Sequence, residues 1–267
     1  MNLTSIDIRP AVLKMVELQE LAAYTDQLLA IRDFSDYCPN GLQVEGRASV
    51  QRLVGGVTAS QALLDAAVES DADAILVHHG YFWKGEDARI VGVKHRRLRT
   101  LISRGISLLA YHLPLDVHPL YGNNVQLAAL LGLEIESCFG TAGSGSAFGL
   151  VGRLKQPTSG VQFTTCLKTR LLREPLHIPG TASSLQRIAW CTGAAQGFIE
   201  AAAAQGVEAF LTGEASEQTV HIARETGIHF FAAGHHATER YGVQALGRHL
   251  AQHFQLDFTF IDIDNPV

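Results

Sequence analysis

Three apolar stretches of this chain stop abruptly at histidine or acid. Residues 74–77 (AILV) run into His78 and His79. Residues 108–111 (LLAY) run into His112, with Asp116 four positions on. Residues 230–233 (FFAA) pass through Gly234 into His235 and His236, with Glu239 and Arg240 beyond. A fourth stretch, 209–211 (AFL), leads through Thr212 and Gly213 to Glu214. Imidazole and carboxylate without thiolate suit zinc, manganese, iron, cobalt or nickel. His78, His79, Asp116, His235 and Glu239 are more ligands than one closed tetrahedral zinc needs. They fit a pair of divalent ions bridged by a carboxylate and water. Such a pair lowers the pKa of water and clamps attacking and leaving oxygens.

Spacing constrains how these groups meet. His235 and Glu239 are four apart at the start of an expected helix, on one face of it. His112 and Asp116 share that spacing, but Pro114 between them favours a loop. His78 and His79 are adjacent, and on a regular strand they point to opposite faces. For both to bind metal the chain must leave strand geometry, and Gly80 makes a sharp turn easy.

A lone histidine at a strand end is ordinarily a polar cap or a surface group. His95, His118, His177, His221, His229, His249 and His253 are read that way, and His236 as a supporting or structural residue. Glu214 is equally a helix N-terminus neighbour at the positive dipole end or a catalytic group. The run from Lys94 to Arg99 (KHRRLR) is a solvated helix face, or alternatively a phosphate-attracting rim.

The elements that must position these groups alternate. Residues 12–31 read as an amphipathic helix with Leu13, Val16, Leu21, Leu28 and Leu29 inward, and 36–46 as an ordered loop rich in turn formers. Short strands are expected at 52–57, 74–77 and 106–110, with helices at 61–70, 95–104 and 124–131. A second series has strands beginning at 187 and at 209–211, 228–233 and 258–263. Its helices fall at 194–204, 217–226 and 237–253. Between the series, 146–187 gives weak signals: a strand near 148–154 and a helix near 161–172. GTAGSG (140–145) marks the end of the first half. The expected organisation is 1–136 as a first α/β half carrying His78, His79 and Asp116, 137–186 as a variable connection, and 187–267 as a second α/β half carrying His235 and Glu239.

This alternation implies an α/β fold with mixed, largely parallel sheets flanked by helices. The two halves look alike. QALLDAAVESDADAILVHH (61–79) aligns with QGFIEAAAAQGVEAFLTGE (196–214), and GISLLA (105–110) with GIHFFA (227–232). Order and spacing persist across two consecutive units, which favours duplication over convergence. Similar halves packed together place their strand ends around a shared metal cleft, and ligands in parallel α/β sheets bind at the carboxyl ends of strands.

The bulk numbers agree with a globular chain. It has 267 residues, 47% apolar and 18% charged, with a net charge of −5. The acidic balance argues against a whole-surface grip on nucleic acid or anionic lipid, and 7% aromatics offers little for base stacking. The four cysteines, Cys38, Cys138, Cys166 and Cys191, form no C-x-x-C pair. The N-terminus lacks the apolar run of a secretory signal and no stretch approaches a membrane span, so the chain is expected to be cytoplasmic. Neither a Walker A nor a G-x-G-x-x-G loop is present.

PNGLQVEG (39–46), VTASQALLDAAV (57–68), VHHGYFWKGE (77–86), YHLPLDVHP (111–119), LTGEASEQT (211–219) and GHHATERYGV (234–243) resemble the YbgI-type dinuclear-metal family, whose members are called GTP cyclohydrolase I type 2 homologues. The likeness runs through nearly the whole chain and is weakest between about 137 and 186. It implies an α/β fold, a toroidal homohexamer, and a dinuclear site in each subunit. The family's ligands fall on His78, His79, Asp116, His235 and Glu239, with Glu239 as the natural bridge. His112 and Glu214 lie in the same motifs as candidates for substrate contact or proton transfer.

The resulting expectation is a dinuclear metal-dependent hydrolase acting on a nucleotide-like or phosphorylated small molecule. The competing expectation is a non-catalytic, ring-shaped metal-binding protein that engages a partner, nucleic acid among the candidates, through Arg96, Arg97 or Arg99.

Overall fold

The computed structural model describes residues 13–142 and 146–267. Residues 1–12 and the last three residues of GTAGSG lie outside the described residues. In chain order the elements are β1 (Val16–Glu17), α1 (Leu18–Leu28), β2 (Gly41–Val44), β3 (Ser49–Val50), β4 (Arg52–Thr58), α2 (Gln61–Glu69), β5 (Ala74–His79), α3 (Gly92–Arg104), β6 (Ser107–Ala110), α4 (Leu113–Val117) and α5 (Asn123–Leu131). They continue with β7 (Leu133–Ala142), β8 (Ser146–Thr158), α6 (Gly160–Leu171), β9 (Leu176–Ile178), β10 (Leu185–Trp190), α7 (Ile199–Ala203), β11 (Ala209–Thr212), α8 (Glu217–Thr226), β12 (His229–Ala232), α9 (His235–Phe254) and β13 (Asp257–Phe260).

Two main sheets form. The first has the order β13-β4-β5-β6-β2 and the second β7-β8-β10-β11-β12-β9. In the first, β13, β4, β5 and β6 are parallel and only β2 is antiparallel. In the second, β10, β11 and β12 are parallel, while β7, β8 and β9 pair antiparallel. The triplets β4-β5-β6 and β10-β11-β12 are the counterparts in the two halves. Ala74 opposes Ser107 in one, and Ala209 opposes His229 in the other.

Strand alternation builds the cores. On one face of the first sheet Leu53, Ala74, Leu76 and Leu109 pack with Leu18 and Leu21 of α1 and Val243, Leu246 and Leu250 of α9. On the other face Val54, Ile75, Val77 and Leu108 meet Leu63 and Leu64 of α2 and Leu98 and Leu101 of α3. The second sheet repeats this. Ile188, Trp190, Leu211 and Phe231 face α5 and α6, while Ala189, Phe210 and Phe230 face α7 and α8. Strands covered on both faces read as near-continuous apolar runs, which is why these runs were visible in the sequence. Helix α9 packs on the first sheet and also reaches the second core through Ala237 and Tyr241, so it carries His235 and Glu239 between the two.

Some elements differ from expectation. The helix expected over 12–31 begins at Leu18, because Val16 and Glu17 pair with Ser49 and Val50 first. Residues 113–117 form a short helix instead of a loop, since Pro114 sits in its first turn, where the missing N–H loses no bond. The 137–186 region supplies most of β7, all of β8, α6 and β9, and the start of β10. Among the described residues no helix is long and apolar enough to cross a membrane.

Asp73, before β5, ties the strands together. Its carboxylate accepts from the backbone N–H of Gln51 and Arg52 at 3.0 and 2.9 Å and from Arg47 at 2.6 Å. Burial works against the charge, but these donors prevail and hold the carboxyl below its ordinary value of 3.8. A depressed folded pKa stabilises above the unfolded pKa and is lost as pH falls through the folded one. Asp73→Ala should therefore destabilise the protein at pH 7 by about 1.5–3 kcal/mol, the range for bonds to a charged group. Thermal melts should show the gap from wild type narrowing below about pH 4; a gap independent of pH would contradict the assignment.

Candidate metal centre

The carboxyl ends of the parallel strands bring the polar residues together. His78 and His79 end β5, His112 follows β6 and precedes α4, and Asp116 lies within α4. His235 and Glu239 occupy the first turns of α9 after β12, and Glu214 follows β11. The centre of the cluster is the Glu239 carboxylate. Its Oε1 is 3.6 Å from His78 Nε2, and its Oε2 is 3.2 Å from His79 Nε2 and 3.0 Å from His235 Nε2. Asp116 Oδ1 is 3.4 Å from His78 Nε2. Four sets of three potential ligands result: His78–Asp116–Glu239 and His79–His235–Glu239, which share Glu239, and His78–His79–His112 and Asp36–Cys38–His112, which share His112.

The far sides of the rings decide what the near sides offer. His78 Nδ1 lies 2.9 Å from the Tyr111 carbonyl oxygen, and His235 Nδ1 lies 2.6 Å from Glu214 Oε1. Carbonyl and carboxylate oxygens only accept, so both Nδ1 atoms carry hydrogen. In the neutral rings each Nε2 then presents a lone pair. Those lone pairs face carboxylate oxygens, an arrangement that a cation satisfies and that repels without one. Consistent with this, His78 Nε2 and Glu239 Oε2 are buried and make no hydrogen bond. Bonds of this kind on the far side of the ring orient histidine ligands in metal sites generally. The donor set therefore fits divalent cations. His79 Nδ1 lies 3.1 Å from Thr58 Oγ1.

Protons show the same field. Burial disfavours a charge on His78, but Asp116 and Glu239 outweigh it and push its pKa up to about 9. His235 is likewise drawn up to about 9 against its burial, by Glu239 and then Glu214. His79 goes the other way: burial carries it down to about 4 despite Glu239. Glu239 is held well below its usual range because the histidines overcome its burial, whereas burial raises Asp116.

All five residues expected as ligands meet here, and His112 and Glu214 border them. His236 instead bonds Asp262 at 2.7 Å. The strand pairing runs through His79, opposite Thr58, so the chain keeps strand geometry where a departure was expected. Gly80 serves close approach: a Cβ there would meet Gln43 and the Cβ of Ala110.

Several contributors carried no sequence signal. Asn123 donates to Asp116 Oδ1 at 2.9 Å while its own Oδ1 accepts from Gly242 N–H at 2.8 Å, linking α5, α4 and α9. Asp36 lies 76 positions from the His112 it contacts. Gly193 is the tightest. With φ of +69°, a Cβ there would lie 1.9 Å from Glu239 Oε1. Gly193→Ala should thus displace the Glu239 carboxylate. Metal content by elemental analysis should fall well below wild type while the far-ultraviolet spectrum stays folded. Full metal retention would contradict this geometry.

Comparison with known proteins places this arrangement among relatives. A family model described as Duf34/NIF3 (NGG1p interacting factor 3) matches residues 16–266. A Pseudomonas aeruginosa protein named GTP cyclohydrolase 1 type 2 homolog is 58% identical over 251 residues, covering 94% of this chain and 99% of the relative. The Escherichia coli K12 protein of the same name is 52% identical over 257 residues, covering 95% and 100%. A solved structure described as protein ybgI, of unknown function, superposes with a TM-score of 0.90 at 51% identity, over 94% of this chain and 100% of that one. TTHA1606 from Thermus thermophilus gives 0.85 at 34% identity, over 94% and 100%. From the length and depth of these matches, the chain belongs to the Duf34/NIF3 family.

Proposed function

We propose that this protein is a dinuclear metal-dependent hydrolase acting on a nucleotide-like or phosphorylated small molecule. The observation that carries the proposal is the division of Glu239, one oxygen toward His78 and the other toward His79 and His235. Two divalent cations, when bound, supply Lewis acidity and lower the pKa of water. His78, Asp116 and Glu239 would hold one, and His79, His235 and Glu239 the other. Glu214 fixes the tautomer of His235.

A pocket of about 270 Å³ opens beside the cluster, lined by Tyr37, Phe148 and Phe198 as well as His112, Asp116 and Glu239. Among the described residues no lysine or arginine lines it, so an anionic group would be balanced by the cations and not by a side chain. Its aromatic and aliphatic wall suits a flat, uncharged ring better than a phosphate. That supports a nucleotide-like substrate placed ring-first, in keeping with the purine chemistry in the relatives' name, GTP cyclohydrolase 1 type 2 homolog. His112 is positioned to accept and return a proton at Nε2. The proposal extends to a ring-shaped homohexamer in the cytoplasm, for which exposed Ile90, Val91 and Val93 offer apolar surface to another copy.

The second reading, a non-catalytic partner-binding ring, draws on α3, which carries Lys94, Arg96, Arg97, Arg99 and Arg104 without an acid. The groove beside it is lined by Arg96, Arg99 and Arg104, but also by Asp65 and Glu69. This mixed charge suits a strand of phosphates poorly, and the hydrolase reading is preferred.

Turnover of a nucleotide and phosphoester panel, with manganese, zinc or iron added, tests the proposal. Wild type should turn over at least one member, and Glu239→Gln should lose on the order of 10²-fold or more, as loss of a positioned electrostatic group does. No turnover with any metal, or an undiminished rate in the variant, would defeat it.

A further inference from the structure

His112 is built like the two anchored histidines of the cluster and has a ring nitrogen within 4.8 Å of ligand atoms of His78 and His79, but it does not share their carboxylate target. Its Nδ1 lies 2.7 Å from Asp36 Oδ1, as His235 Nδ1 lies against Glu214. Yet no contact within 4.0 Å joins His112 to Asp116 or Glu239 among the described residues, whereas His78, His79 and His235 all make one. Its ring centroid stands 5.1 Å from that of His78 and 5.0 Å from that of Trp83, and the residue lines the pocket.

Asp36 is unusually well held for a loop residue. Its side chain is only 3% exposed. Oδ1 accepts from the backbone N–H of Tyr37 at 2.6 Å as well as from His112. Oδ2 accepts from Asn40 Nδ2 at 2.8 Å and the backbone N–H of Leu113 at 3.0 Å. Asn40 turns its own Oδ1 to the backbone N–H of His112 at 2.7 Å. Four donors saturate the carboxylate, which leaves it no role as a metal ligand. Neighbouring Cys38 is no thiolate either, since burial pushes it up to about 12.

A carboxylate surrounded by donors can only accept, so the hydrogen on the facing ring nitrogen belongs to His112 Nδ1. The remaining lone pair is then on Nε2, the ring nitrogen that Asp36 leaves free, in a residue that lines the pocket. We propose that Asp36 is a positioning residue that locks His112 in the Nδ1–H tautomer, so that His112 Nε2 serves as the proton acceptor beside the cations and not as one of their ligands. The proposal rests on the hydrolase reading for its chemistry, but the tautomer and the ligand count are independent of turnover. Proton balance is simple. The water oxygen forms the new bond to the substrate's electrophilic atom as Nε2 takes its proton, the bond to the leaving group breaks, and the cationic ring, held against Asp36, returns the proton to the leaving group.

The direct test is neutron diffraction from crystals of the zinc-loaded wild-type protein. The expected result is deuterium on His112 Nδ1, none on Nε2, and no zinc within bonding distance of Nε2. Zinc coordinated by His112, or deuterium on Nε2 alone, overturns the proposal. In parallel, Asp36→Asn can turn its amide N–H₂ toward His112 and favour the opposite tautomer, a change that in serine proteases costs about 10⁴-fold in kcat. Metal stoichiometry in Asp36→Asn and His112→Gln should equal wild type. On any substrate the wild type turns over, kcat should fall by ~10²–10⁴ with KM little changed. Loss of metal in His112→Gln would make His112 a ligand and sink the idea. If the wild type turns nothing over, the hydrolase reading fails, and the neutron density alone decides the tautomer.

Discussion

The structure depends on one buried carboxylate. Glu239 is 3% exposed and faces three imidazole nitrogens, at least two of which present lone pairs in their neutral form. Burying such a group is unfavourable unless charge of the opposite sign meets it. In the protein alone, protons on His78 and His235 supply that charge. Divalent cations would supply it better, because they would bind every lone pair at once where protons satisfy only some. The arrangement of the rest of the chain follows from holding this carboxylate in place. Gly193 clears the space for it, α9 carries it, and the ends of β5 and β6 bring the groups that face it.

The polar cluster is divided between elements that follow the parallel strands of the two sheets. Each sheet contains a parallel triplet of strands, β4-β5-β6 and β10-β11-β12. The first gives His78, His79 and Asp116, and the second gives His235 and Glu239. Helix α9 belongs by sequence to the second half but packs against the first sheet through Val243, Leu246 and Leu250. Strand β13 then follows it into that sheet beside β4. The exchange ties the ligand-bearing helix to both cores, and the distance between the two ligand groups is set by packing instead of by loops.

What was legible in the sequence follows the same physics. Apolar strands buried on both faces stand out as runs, and a histidine or acid after such a run is conspicuous. That is why the α/β class is readable from the sequence, and why His78, His79, Asp116, His235 and Glu239, which the structure brings together, stand out there. The supporting groups were not legible. Asp36, Asn40, Asn123 and Gly193 sit in loops or at a helix start among ordinary polar and small residues. Their partners lie far along the chain, so no spacing rule connects them. Of the antiparallel additions, β8 was expected near 148–154 and runs over Ser146–Thr158, whereas β7 and β9 gave no signal. β7 and β9 are the two edges of the second sheet, where one side is open and the apolar pattern is weaker. Pro114 misled for a different reason, since a proline that breaks a helix interior is well placed in a first turn.

The central claim is that Glu239 is shared by two cations, one for each of its oxygens. Anomalous X-ray diffraction from metal-loaded crystals measures this directly. Two peaks per chain, about 3.5–4 Å apart as in two-metal hydrolytic sites, should flank the carboxylate, one near His78 and Asp116 and the other near His79 and His235. A single peak, or two peaks that leave Glu239 unbound, would contradict the account.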